Sequence, residues 1–337
     1  MSSSPEPASE TDSTGADPAG VSASEATPSA AAASLSRLRP GGPRVFPVLP
    51  EYRSAAQLWL DPEQAHAPVT PVDAAAVALI RDSPRGLEVY LTVHEHRSAF
   101  GPVGFPGGRV LAVDDEPLPW SGPTGQQWGR MWHEDVGLAR RCVVAAAREL
   151  FGSVGVLVAG RSTAETITTS GGHDWRPARE ALASGETTLR ELLERRRLLL
   201  RTELMRPLVR WMTPQFMHRR YDVRYFLVIQ PEHQEPETLA GRAGTGGWVS
   251  PAEVLRDPDA RRLSRQLGAP DLAGRSPDRI LTPGTAIVLE ELAGAGSAVE
   301  AATRRVHLGP RAAVLRVGAD GAPELAVEPR PRGSRQR

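Results

Sequence analysis

The chain has 337 residues, and its 40 basic residues balance its 40 acidic residues, so the formal net charge is zero. Every basic residue is an arginine, which excludes chemistry that needs a lysine, such as a Schiff base or a Walker-type phosphate loop. The single cysteine, Cys142, excludes intrachain disulfides and cysteine-rich zinc sites. Zero net charge argues against a general electrostatic attraction to nucleic acid or to an anionic membrane.

The two ends of the chain differ in composition from the rest. Residues 1–40 are rich in Ser, Ala, Pro, Glu and Thr, so we expect a disordered tail, and residues 331–337 are a second, short polar tail. No apolar run is long enough to span a membrane, and the N-terminus lacks the pattern of a secretory signal. We therefore expect a single domain over residues 45–330 and a cytoplasmic location.

The first predicted elements come from the pattern of apolar residues. Residues 74–81 and 87–93 are predicted strands joined by a turn, and a glycine- and proline-rich loop follows at residues 100–108. Residues 109–137 are predicted to be irregular. A helix is predicted over residues 138–154, with Gly155 at its end.

The second half of the chain continues to mix helices with strands. In chain order the predictions are a strand beginning at residues 156–158, a long helical stretch over 176–208, a strand over 221–229, a helix from Pro251 capped by Ser250, a helix over 285–292, and a hairpin of 312–317 with 324–327. This interspersion predicts a mixed α/β sandwich.

Two segments resemble a known motif when they are read together. The sequence Phe-Pro-Gly-Gly ends at Gly108, and Arg148-Glu149-Leu150 is followed by Gly155-Val156. These residues resemble the Nudix box, G-x5-E-x7-R-E-U-x-E-E-x-G-U, where U is a bulky aliphatic residue. Gly108 matches its first glycine, and the later residues match its second half.

The resemblance implies a fold and a chemistry. Nudix hydrolases have an α-β-α sandwich with a mixed sheet, and they hydrolyse diphosphates linked to another moiety with Mg²⁺ or Mn²⁺. Their box helix places carboxylates at positions i, i+3 and i+4 on one face, where they hold divalent cations. The resemblance implies that Glu149 and Arg148 are catalytic residues and that Glu149 is also a metal ligand.

The box contains an insertion. Gly108 and Arg148 are 40 positions apart, which is 26 more than in the family pattern, so we place an insertion at about residues 109–137. A split box of this kind is similar to the branch that includes acyl-coenzyme A diphosphatases. The chain also resembles segments of that branch at residues 211–214, 219–226, 248–253 and 281–285. The similarity therefore covers roughly residues 74–292.

The chain departs from the family pattern at the metal ligands. Gly152 and Ser153 stand where two of the three helix glutamates are expected, and Arg242 stands near a further acidic position of the branch. The resemblance therefore implies that Mg²⁺ or Mn²⁺ is held weakly, and that catalysis is weakened or lost. Glu149 is either the remaining metal ligand or one half of a structural pair with Arg148.

Two functions from different classes follow from the resemblance. The first is a metal-dependent diphosphatase acting on a nucleotide or coenzyme A derivative. The second, which we favour, is a catalytically silent module that binds a nucleotide-like ligand or a protein partner. Many members of the family form dimers, so a homodimer is compatible with either function.

The candidate substrate-binding residues are glycines of the loop and arginines able to pair with phosphate. They are Gly107, Gly108, Arg97, Arg219 and Arg220. Because the chain has so many arginines, any one of them is as readily a surface residue.

Several other residues have a functional and a structural interpretation. The acidic runs 114–116 and 134–135 are metal ligands or, more commonly, a solvated loop. His94 and His96 contact a ligand or are structural, and Cys142 is a buried apolar residue. Three tryptophans stack on a base or, as we favour, pack the insertion on the core; they are Trp120, Trp128 and Trp132.

Overall fold

The computed structural model describes residues 44–94, 102–169, 175–239 and 244–328. The predicted tails, Arg97, His96 and Arg242 lie outside these ranges. No helix within them is long and apolar enough to cross a membrane. The extent of the single domain over residues 45–330 stays a prediction.

The strands form three sheets. In chain order they are β1 Arg44–Pro47, β2 Val72–Ser83, β3 Gly86–Val93, β4 Val103–Gly104, β5 Gly107–Arg109, β6 Trp120–Ser121, β7 Ala159–Gly160, β8 Leu199–Arg201, β9 Met205–Met212, β10 Tyr221–Ile229, β11 Thr245–Val249, β12 Arg311–Ala312, β13 Val314–Val317 and β14 Pro323–Val327.

Ten α-helices occur in the described ranges. They are α1 Arg53–Leu60, α2 Gly125–Trp132, α3 Val136–Val154, α4 Trp175–Ser184, α5 Leu189–Arg196, α6 Pro251–Arg256, α7 Arg261–Leu267, α8 Pro277–Ile280, α9 Pro283–Ala293 and α10 Ala298–Thr303. Short 3-10 turns lie at Pro50–Tyr52, Ala112–Asp115, Thr202–Leu204 and Pro270–Leu272.

The main sheet is mixed and has the order β11-β3-β2-β10-β9-β12. Strand β2 pairs parallel with β10 along its length, and antiparallel with β3 at one end and with β5 at the other. The smaller sheets are β1-β14-β13 and β6-β8-β7.

Strand β2 is covered on both faces, which explains its continuous apolar run. Ala74, Ala76, Ala78 and Ile80 belong to one core cluster, together with residues of α6, α7, α9 and α10. The alternate residues Ala75, Val77 and Leu79 belong to the other cluster, with residues of α2, α3, α4 and α5. Helices therefore cover both faces of the mixed sheet, and the predicted α-β-α sandwich is confirmed.

Most predicted elements are present, and three predictions were wrong. Residues 176–208 are two helices followed by β8 and the start of β9, not one helical stretch. Residues 156–158 are extended without being a strand, which begins only at Ala159. The insertion contains the helix α2, whose first turn is capped by the side chain of Thr124.

Candidate functional site

Helix α3 carries the residues that resemble the second half of the Nudix box. It begins after Asp135, whose carboxylate accepts a hydrogen bond from the Leu138 N–H at 3.0 Å. It ends at Gly155, which has a φ of 75° and whose N–H donates to the carbonyl of Phe151 at 2.9 Å. A left-handed residue at this position is typically glycine, because a Cβ would be strained there.

Gly107 and Gly108 bring the loop backbone against both the sheet and the helix. They pair with Ala76 and Ala75 of β2. A Cβ on Gly107 would lie 2.7 Å from the carbonyl oxygen of Ala75, and a Cβ on Gly108 would lie 2.5 Å from Oε1 of Glu149. The Gly-Gly pair is therefore required by space, and it sets the backbone of the loop beside the Glu149 carboxylate.

Arg148 is the centre of a buried ion-pair network. Its Nε and Nη2 donate to the two oxygens of Asp114, at 2.7 and 3.0 Å, and its Nη1 donates to Oε1 of Glu149 at 2.5 Å. Its Nη2 also donates to the carbonyl of Arg109 at 2.9 Å. Asp114, Arg148 and Glu149 are 1%, 4% and 6% exposed. We call these three residues and Gly108 the box cradle.

The pKa of Arg148 reflects two opposing effects. Burial acts to lower the pKa of its guanidinium, but the hydrogen bonds and charges of Asp114 and Glu149 outweigh burial and raise that pKa. The guanidinium thus stays charged and fixes both carboxylates. The Asp114 carboxylate also accepts from the Leu111 N–H at 2.7 Å, so it orders the start of the insertion as well.

Asp114 was assigned too weak a role from the sequence. It was grouped with Asp115 and Glu116 as a metal-binding or solvated run, whereas the structure buries it against Arg148. The signal was present, since Asp114 stands six positions after Gly108, the spacing of the first glutamate in the family pattern. The ion pair of Asp114 with Arg148 therefore connects the predicted insertion to helix α3.

A second arginine lies at the C-terminal end of α3. The Arg179 guanidinium donates to the carbonyls of Phe151 and Ser153, both at 3.2 Å, and to the carbonyl of Glu237 at 2.8 Å. Burial lowers the pKa of Arg179, and the charge of Glu237 acts against that shift. A cation here compensates the negative end of the helix dipole.

The chain after β10 also covers this end of the helix. The N–H of Glu237 donates to the carbonyl of Val154 at 2.9 Å, and the N–H of Leu239 donates to that of Ser153 at 3.2 Å. Gly152 and Ser153 are both buried. The helix end at the two expected glutamate positions is therefore bounded by a guanidinium and a backbone segment.

Comparisons with known proteins bear on the fold. No family model matches the chain, and no curated protein does. The crystal structure of a NUDIX hydrolase from Alicyclobacillus acidocaldarius matches with a TM-score of 0.53 and 23% identity, over 72% of this chain and 100% of that one. This chain has the Nudix fold.

Two further solved structures match the chain with much lower TM-scores. One is a C. elegans Ap4A hydrolase binary complex, at 0.28 with 12% identity over 59% of this chain and 95% of that one. The other is the NUDIX domain of Shewanella oneidensis NrtR complexed with ADP ribose, at 0.30 with 12% identity over 62% and 87%.

Two of the predicted phosphate-binding arginines, Arg219 and Arg220, lie in the described part of the chain. Arg220 is buried, and its guanidinium donates to the backbone carbonyls of Val69 and Thr213, at 2.7 and 3.2 Å. Arg219 is exposed. Burial lowers the pKa of His94, whose buried Nε2 has no hydrogen-bond partner among the described residues.

The predicted acidic run at Glu134 also has a structural role. Glu134 is paired with Arg224, which is 1% exposed, and lies 3.0 Å from Nη2 of Arg210. Arg224 also donates to Asp73 at 2.5 Å, and Arg210 forms two hydrogen bonds with Asp222, at 3.0 and 2.6 Å. This network joins the turn between α2 and α3 to three strands of the main sheet.

The tryptophans of the insertion pack on the core, as favoured from the sequence. Trp128 and Trp132 are fully buried, and both stack edge-to-face on Phe226 of β10, with ring centroids 5.7 and 5.4 Å apart. Trp120 is half-buried. Cys142 is also fully buried, as predicted.

Proposed function

We propose that this Nudix-fold protein binds a nucleotide- or coenzyme A-type diphosphate, with metal-dependent hydrolysis weakened or lost. The observation that supports this proposal is the number of carboxylates on helix α3. Of the three helix positions that the resemblance assigns to metal ligands, only Glu149 has a carboxylate, and Arg148 binds it at 2.5 Å. At the other two positions Gly152 and Ser153 are buried, and the Ser153 carbonyl accepts a hydrogen bond from Arg179.

The donor set does not fit a pair of bridging divalent cations. Mg²⁺ and Mn²⁺ favour several oxygen ligands, and a carboxylate cluster normally supplies them. Within the described ranges, no group of three or more His, Cys, Asp or Glu side chains could hold a metal ion. Asp114 is the second carboxylate that pairs with Arg148. Both oxygens of Asp114 already accept hydrogen bonds from the Arg148 guanidinium.

The expected consequence for catalysis is large. Removing one preorganised electrostatic group commonly costs about 3–4 kcal/mol of transition-state stabilisation, which is a factor of several hundred in rate. The effects of groups that act together are not additive, so losing two need not cost twice as much. Either way the diphosphatase would be feeble, whereas a binding function needs no metal cluster.

The box cradle itself supports the alternative, a slow metal-dependent diphosphatase. Gly108, Asp114, Arg148 and Glu149 lie together as the box pattern requires, and Glu149 retains a carboxylate beside the glycine backbone. On this alternative Glu149 binds a single hydrated cation. A protein partner in place of a small molecule, a homodimer and a cytoplasmic location also remain proposals.

Turnover measurements separate the two functions. The full-length protein is incubated with coenzyme A, acyl-coenzyme A, ADP-ribose or NADH, each with Mg²⁺ or Mn²⁺. Glu149→Gln is the test variant, and Asp115→Asn, a change at a carboxylate that is 58% exposed, is the matched control. We expect no turnover above that of Glu149→Gln, together with a thermal shift by at least one of these compounds. Turnover that only Glu149→Gln abolishes would establish the alternative.

A further inference from the structure

A cavity of about 390 Å³ lies outside the box cradle, between the loop after β7 and the helices α4 and α5. None of its lining residues belongs to Gly108, Asp114, Arg148 or Glu149. Its volume is in the range of pockets that hold small molecules. We propose that this cavity binds a nucleoside monophosphate, with the planar base on Trp175 and the phosphate between Arg161 and Arg196.

The apolar part of the cavity is suited to a flat ring. Trp175 is half-buried at the start of α4, and Phe151 of α3 holds it edge-to-face, with ring centroids 5.9 Å apart and an interplanar angle of 86°. Ile167 and the buried Leu198 complete this side. An aromatic ring fixed by its neighbour offers a stacking surface that costs little conformational entropy when a ligand binds.

The charged part of the cavity is suited to an anion. Arg161 and Arg196 both line it, and Glu165 is the one acidic residue among the described lining residues, so these residues together have a net positive charge. Guanidinium groups match phosphate because they can donate two parallel hydrogen bonds. The Arg196 guanidinium lies 4.6 Å above the Trp175 ring, so a bound base would displace it from that face and the guanidinium would pair with the phosphate beside the ring.

The remaining polar groups distinguish a nucleoside phosphate from a simple anion. Glu165 offers a carboxylate acceptor to a ribose hydroxyl or an exocyclic amine. Thr166 and Thr168 offer hydroxyls that can donate or accept. A bare phosphate would use the arginines alone and would leave Trp175 and Glu165 without a role.

Calorimetric titration of the full-length protein with AMP tests the proposal, with adenosine and inorganic phosphate as partial ligands. We expect AMP to bind at least about tenfold more tightly than either part, and Arg161→Gln and Arg196→Gln each to weaken AMP binding by about tenfold. Arg190→Gln is the control, because Arg190 is an exposed arginine on helix α5, which also contains Arg196, and it pairs with Glu194. It should leave AMP affinity unchanged.

Two further measurements distinguish a loss of AMP binding from a loss of folding and from AMP binding at the box cradle. Arg161 is exposed, so its variant should retain the wild-type melting temperature. AMP should quench a tryptophan fluorescence component that is absent in Trp175→Phe, and Glu149→Gln should bind AMP as the wild type does. Undetectable AMP binding, equal affinities for AMP and phosphate, or loss of binding in Glu149→Gln but not in Arg161→Gln would overturn the proposal.

Discussion

Arg148 and Asp114 show how a single ion pair organises the site. Both side chains are almost fully withdrawn from water, so the buried Asp114 charge depends on Arg148 for compensation. The same guanidinium reaches Glu149 and the carbonyl of Arg109, and thereby connects helix α3, the glycine strand β5 and the first turn of the insertion. Loss of one partner would leave a buried charge rather than an open surface.

Asp114→Asn should therefore destabilise the protein by about 3–5 kcal/mol, because it leaves the buried Arg148 charge without its two-oxygen partner. The measurement is urea unfolding followed by circular dichroism. Asp115→Asn is the matched control, since the neighbouring Asp115 is 58% exposed and its pair with Arg140 should be worth less than about 1 kcal/mol. Equal losses of stability in the two variants would contradict the role given to Asp114.

Only some residues of the site could be predicted from the sequence. Arg148, Glu149 and Gly108 were found because they match a known pattern, whereas Asp114 was missed because it is an aspartate where the pattern has a glutamate and lies 34 positions before Arg148. Arg179 has no such signal. It reaches the end of α3 from a helix about 25 residues further along the chain, so only the tertiary packing reveals its contacts.

At the scale of elements, the C-terminal end of α3 differs most from the family pattern. Two carboxylates are absent there, and the last carbonyls of the helix accept hydrogen bonds from the Arg179 guanidinium and from the backbone N–H groups of Glu237 and Leu239. The helix end is thus held by a cation that belongs to the protein.

Arg179→Leu should destabilise the protein by about 2–3 kcal/mol, because three carbonyls lose a charged donor and the helix dipole loses its compensation. Thermal and urea unfolding both measure this loss. Arg176→Leu provides the control, since Arg176 lies on the same helix α4 but pairs with the exposed Glu180 only on the surface. A cost in Arg176→Leu as large as in Arg179→Leu would refute the capping role.

Restoring the carboxylates tests the register of the box. Gly152→Glu combined with Ser153→Glu should raise the affinity for Mn²⁺, because three carboxylates would then lie on one face of α3. Paramagnetic resonance of free Mn²⁺ measures the binding. The double glutamine variant has the same size without charge and should bind no more Mn²⁺ than the wild type. Unchanged affinity in the folded double glutamate variant would show that the positions are assigned wrongly.

Elements with strong local patterns were predictable, and those formed by long-range pairing were not. Strands β2, β3 and β10 and helix α3 follow directly from apolar periodicity. The leucines at residues 198–200 resemble the end of a helix, but β8 pairs with β6 and β7, which come from distant parts of the chain. Helix α2 was missed although Thr124 and Gln127 form a capping box.

At the scale of the whole molecule, the two faces of the main sheet bury separate apolar clusters. Cys142 lies in the cluster beneath α3, and burial raises the pKa of its thiol to about 12. The neutral thiol is therefore favoured in the folded state. Because the unfolded chain ionises near the ordinary pKa of 9.0, this group lowers the stability of the fold as the pH rises above that value.

Cys142 should thus report global unfolding. In native buffer at mildly alkaline pH, we expect a thiol-specific reagent to leave the protein unmodified, and in denaturing urea we expect it to label one thiol per chain. The urea midpoint of labelling should coincide with the midpoint measured by circular dichroism. Rapid labelling in native buffer would contradict the packing of α3 on the sheet.

We propose that the Nudix fold of this protein binds its ligand without a metal cluster. Calorimetric titration of ADP-ribose into the full-length protein, in EDTA and again in Mg²⁺, tests it most directly when the same samples are analysed for hydrolysis products. We predict the same dissociation constant in both buffers and no product above that of Glu149→Gln. Binding that requires Mg²⁺, accompanied by product that Glu149→Gln does not form, would contradict the account.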